Sequence, residues 1–111
     1  MAFLNTDEPN FSADIHGWTG HFFHTDNLSL MHYTIASDAE PISIHQHPNE
    51  EIWNILEGSL EITIDGETKL VGAGDVAMVP ANCPHALTPM SAGKAIVVNH
   101  PHRLKVSYED D

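Results

Sequence analysis

Short extended segments cut by glycine and proline turns run the length of this chain, and they limit its fold more than any other feature. Leu60-Glu61-Ile62-Thr63-Ile64 alternates apolar and polar residues with a period of two, as a strand with one buried face does. Asp65-Gly66 then reads as a tight hairpin turn, returning the chain through residues 67–71. Similar segments are expected at 22–24 and 28–35, parted by Asp26-Asn27, and at 42–47, between Pro41 and Pro48-Asn49. Others follow at 51–57, 85–87, 95–99 and 104–106. Residues 76–79 (Val-Ala-Met-Val) are apolar on both faces, which predicts a strand covered on both sides. No run of ten or more residues carries the stripe and caps of a helix.

The expectation is an all-β sandwich or barrel. The chain has 111 residues, enough for one domain. A closed barrel, having no free edges, suits that length. Residues 1–13 read as an N-terminal arm, with Phe3, Leu4 and Phe11 as possible anchors, and residues 14–111 as a single barrel domain.

Charge narrows the partners. Sixteen Asp and Glu stand against four Lys and Arg, a formal net charge of −12. Residues 1–68 hold 12 of the acidic side chains and no Lys or Arg. Such a surface repels phosphate backbones and anionic lipid, so no nucleic-acid or membrane partner is expected. The single cysteine, Cys83, excludes an internal disulfide and fits a cytoplasmic protein. The opening residues lack the basic and apolar regions of a secretion signal.

Chemistry gathers around the histidines, nine in all. His45 and His47 are two apart, so on a strand both leave the same face. Pro48-Asn49 turns the chain, and Glu51, opening the next strand, can return beside them. A lone histidine at a strand end is usually a surface residue. Two imidazoles and a carboxylate on one face instead suit a divalent transition metal: Fe, Mn, Ni, Zn, Co or Cu. His85, on a strand running antiparallel to the others, is the best fourth ligand. His100 and His102 read as surface residues, while His16, His21, His24 and His32 carry no assigned role.

His45-Gln46-His47, followed by Glu51 and Gly58, resembles the first conserved motif of the cupin superfamily. The run from Gly74-Asp75 to Pro80, then Asn82 and His85, resembles the second. Asn82 stands where that motif has glycine, and it tolerates the left-handed conformation such a turn needs. Pro89 replaces a closing asparagine that is not a ligand. The resemblance implies a double-stranded β-helix, or jelly-roll barrel, with one metal ion held by His45, His47, Glu51 and His85. It also implies pairing into a homodimer, which the doubly apolar strands 76–79 and 95–98 suit.

With those ligands inward, alternation turns Trp53, Ile55 and Leu87 inward as well, and bulk favours Met31 and Tyr33 over Leu30 and His32. These five either line a substrate pocket or fill the core. The inward positions supply no Lys or Arg, and Arg103 lies near the terminus, so a sugar phosphate is disfavoured. The reading is a metal-dependent enzyme for a small molecule, a dioxygenase of an aromatic or enolic substrate, with Glu51 as the catalytic base. Its alternatives are a non-catalytic small-ligand binder, or an isomerase, lyase or decarboxylase. A purely structural zinc site fits less well, since such sites are closed.

Overall fold

The hairpin at Asp65-Gly66 forms as its residue types require, with φ of 50° and 83° at the two turn positions. It joins β6 (Ser59–Ile64) to β7 (Glu67–Gly72), and the register closes with Ile64 opposite Glu67. The computed structural model describes residues 11–103 and contains ten strands there and no helix. The others are β1 (Phe11–Ile15), β2 (Trp18–His24), β3 (Ser29–Ile35), β4 (Ile42–His45), β5 (Glu50–Glu57), β8 (Val76–Val79), β9 (His85–Pro89) and β10 (Gly93–His100).

Two antiparallel sheets face each other. One has the order β1-β2-β3-β10-β5-β8, the other β4-β9-β6-β7. This is the expected all-β jelly roll, although among the described residues its hydrogen bonding does not close all round: β1, β8, β4 and β7 are edges there. The expectation for residues 76–79 needs correction. β8 pairs only with β5 among the described residues, and Val76 and Met78 are 62% and 55% exposed on the outer face. Residues 11–13, read as part of the arm, form the first half of β1 against β2. Residues 1–10 and the expected strand at 104–106 lie outside the described residues.

The core fills the space between the sheets. Met31, Tyr33 and Ile35 from β3 meet Trp53 and Ile55 from β5, with Leu60, Ile62 and Leu87 opposite. Trp18 and Phe22 on β2 join them. Tyr33 and Trp53 stack at 5.7 Å, and Trp18 stands edge-on to both rings. Burying each large side chain of this kind contributes about 1.5–3 kcal/mol. The five residues expected to line a pocket or fill the core are all 3% exposed or less, and they pack as core.

Candidate metal centre

Three elements bring the histidines to one end of the sandwich. β4 supplies His45, the loop after it His47, and the start of β9 His85. A bulge makes the first of these possible. Ile42 pairs with Leu87 and His45 with His85, so three steps along β4 match two along β9. Strict alternation would put Ile42 and His45 on opposite faces; the extra residue lets both face in and leaves Ile44 69% exposed. The turn before β9 is set by Asn82, at φ 58°, whose N–H donates to the His47 carbonyl at 2.7 Å. That left-handed residue ties the second histidine's loop to the third's.

The ligand nitrogens of His45, His47 and His85 all lie within 4.8 Å of one another. His47 and His85 are buried, and His45 is half-buried. Each ring lies against a backbone carbonyl through Nδ1: His45 to Ser43 at 2.8 Å, His47 to Asn49 at 2.9 Å, His85 to Cys83 at 2.8 Å. A carbonyl can only accept, so Nδ1 of each ring carries a proton, and in the neutral imidazole this leaves Nε2 as the nitrogen that can bind a metal. Nε2 of His47 and of His85 is buried without a hydrogen-bond partner.

Glu51 stands at the edge of this trio, 2% exposed. Its Oε2 is 3.4 Å from His47 Nε2, and its Oε1 is 3.4 Å from His85 Nε2. Oxygen and nitrogen ligands each roughly 2.0–2.2 Å from one ion stand about 3–3.5 Å apart, so these spacings fit a shared divalent cation. Three imidazoles beside a carboxylate are also the right donor types for a transition metal. On the far side, Trp53 Nε1–H donates to Oε1 at 3.0 Å and Arg103 Nη1 donates to Oε2 at 3.3 Å. Burial works to raise the Glu51 pKa, but contacts with His47, His85 and Trp53 outweigh it and hold the carboxyl well below its usual range. His45 is also held below the ordinary imidazole value. Burial is the main cause, and the neighbouring His85 and His47 add to it, against a raising bond to Ser43.

Arg103 corrects the expectation that no cation reaches the interior. It is 7% exposed and lies on Glu51, 52 positions away in sequence. Its backbone is fastened to Ser29, whose hydroxyl donates to the Arg103 carbonyl at 3.0 Å and accepts from the Arg103 N–H. The one available signal was that this is the chain's sole arginine. Of the pocket candidates, Trp53 reaches Glu51 directly, while Tyr33 Oη–H points to Met31 Sδ at 3.8 Å within the core. The expected surface pair separates: His100 is exposed, 3.9 Å from Glu50, while His102 is half-buried and stacks on His24.

A family model described as a cupin domain matches residues 31–101. Quercetin 2,3-dioxygenase of Bacillus subtilis (strain 168) is 45% identical over 49 residues, covering 44% of this chain and 14% of that protein. Polyketide synthase CurC of Streptomyces cyaneus is 35% identical over 72 residues, covering 64% of this chain and 47% of that protein. The chain thus spans less than half the length of either relative. An RmlC-like cupin from Shewanella frigidimarina superposes with a TM-score of 0.83 at 21% identity, over 94% of both chains, a likeness of fold.

Proposed function

The chain belongs to the cupin domain family, and on that premise we propose that it is a metal-dependent enzyme, a dioxygenase of a small aromatic or enolic substrate. One observation carries the reading: three imidazoles with Nδ1 committed to backbone carbonyls face a buried, ionised carboxylate. His45, His47 and His85 would hold one divalent ion (Fe, Mn, Ni, Zn, Co or Cu) through Nε2, with Glu51 as fourth ligand through a carboxylate oxygen. When bound, the ion supplies Lewis acidity and, if Fe or Cu, a redox couple.

The chain's own residues do the rest. Glu51 is the proton acceptor: a phenol or enol hydroxyl brought to it gives its proton to a carboxylate oxygen. The Trp53 N–H fixes Oε1, so the base is oriented before substrate arrives. The packed rings of Tyr33 and Trp53 keep water from the inner side of the site. The relative named for quercetin, a flat polyhydroxylated aromatic, supports the substrate class and the use of oxygen.

Oxygen consumption tests this reading. Metal-loaded protein is expected to take up dioxygen with catechols, flavonols or β-diketones, and Glu51→Gln to abolish that uptake. Stoichiometric binding of these compounds without oxygen uptake would contradict it and favour a non-catalytic binder.

We further propose a homodimer formed through the outer face of the six-stranded sheet, where Ile52, Leu56, Val76 and Met78 are 45–62% exposed. A second copy of the chain is the fitting partner, because an apolar patch on so acidic a molecule suits its own equivalent better than a nucleic acid or membrane. Among the described residues no helix is long and apolar enough to cross a membrane. The single cysteine favours a cytoplasmic setting.

A further inference from the structure

Deep beside the metal centre lies a polar side chain that the reading above does not use. Asn99, on β10, is 0% exposed. It stands in register between Glu51 on β5 and Ser29 on β3, so its side chain shares their inward face. Neither its Nδ2 nor its Oδ1 meets a hydrogen-bond partner among the described residues. A buried amide left in this state opposes folding, whereas an apolar residue of the same shape would not.

Both neighbours of Asn99 also touch Arg103. The guanidinium lies on Glu51 at 3.3 Å, and the Arg103 backbone is fastened to the Ser29 hydroxyl. Asn49 holds the same segment from the other side, its Nδ2 donating to the Pro101 carbonyl at 2.6 Å. Arg103 is thereby held on the two residues that flank Asn99 in register, whose amide offers both donors and an acceptor.

We propose that Asn99 and Arg103 form a recognition subsite, beside the metal centre, for a carboxylate that carries a hydroxyl or enol group. This deepens the metal-dependent reading and rests on it. The amide N–H donates to a carboxylate oxygen, the amide oxygen accepts from the ligand hydroxyl, and the ligand's negative charge faces the guanidinium. A neutral phenol lacks the charge, and a plain carboxylate lacks the hydroxyl. Among the aromatic and enolic compounds proposed above, those that also carry a carboxylate are therefore expected to bind most tightly.

Lactate, propionate and lactamide separate these features, since propionate lacks the hydroxyl and lactamide the charge. Each is titrated calorimetrically into zinc-loaded and metal-free protein, with zinc measured by elemental analysis on the same samples. Wild type is expected to bind lactate at least tenfold more tightly than either analogue. Asn99→Leu is expected to erase that preference with unchanged zinc content and no fall in melting temperature; Asn99→Ala serves if the leucine variant does not fold. Equal binding of the three probes, as when a buried water satisfies the amide, overturns the proposal. So does a lactate preference that survives in the variant. Absence of zinc from wild type would instead sink the metal reading, and the metal-free titration would still decide the subsite.

Discussion

A histidine is ready to bind a metal when its proton is held elsewhere, and at His45, His47 and His85 a carbonyl two residues away holds it. The same logic places Trp53 outside the ligand set but within its control. Trp53→Phe keeps the ring stacked on Tyr33 and removes the N–H that supports Glu51 Oε1. Metal affinity should drop roughly 10–100-fold with the fold intact, read by competition with a chromogenic chelator; unchanged affinity would remove Trp53 from the site. Acidity gives a second test. Because the His45 pKa is held below 6.5 in the fold, the unfolded chain takes up that proton first as pH falls. The stability is whole above 6.5 and drains away as pH drops through that value toward the lower folded one. Glu51, depressed from 4.5, gives up its share only at more acid pH. Melting temperatures of the metal-free protein should be level from about pH 8 to about pH 7 and fall toward about pH 5, less steeply in His45→Gln; a level profile throughout contradicts this. His45, His47 and Glu51 were legible because their spacing is local, and His85 because it falls in the second motif-like run after Pro80 and Asn82. Arg103 and Asn99 were not, because what places them is pairing across 52 and 48 residues of chain.

Turns decide the elements. The hairpin at Asp65-Gly66 could be read from two residue types, and the strands on either side of it fell within one residue of their expected limits. The bulge in β4 could not be read, since it arises from the match with β9 and leaves no mark in the local pattern. Likewise Val76 and Met78 look buried by composition, and only the strand order makes β8 an edge. Two glycines show how much a turn demands. Gly58 has a φ of 77°, and a Cβ there would sit 2.2 Å from the Ala92 carbonyl oxygen, where β5 passes into β6. Gly66 shares the left-handed conformation, at 83°, but a Cβ there meets nothing within 4 Å. Gly66→Ala should destabilise by about 1 kcal/mol, from backbone strain alone. Gly58→Ala should cost about 2–4 kcal/mol, because overpacking adds to the same strain. Urea unfolding midpoints of the two variants check this, and equal losses would contradict it.

At the scale of the molecule, a net charge of −12 sets copies of the chain against one another while the outer sheet face draws them together. Salt screens the repulsion and leaves the apolar contact, so dimerisation should strengthen as ionic strength rises. Met78→Glu, an added charge in the middle of that face, should yield monomers by analytical ultracentrifugation; a variant that still dimerises would place the interface elsewhere. The jelly roll exists here to bring three histidines and a glutamate from distant points of the chain to one end of the core. Metal content per chain tests that most directly. Wild type incubated with a divalent transition metal and passed through a desalting column should retain about one ion per chain. His47→Ala, folded by circular dichroism, should retain almost none. An equal metal content in the two proteins would contradict the site.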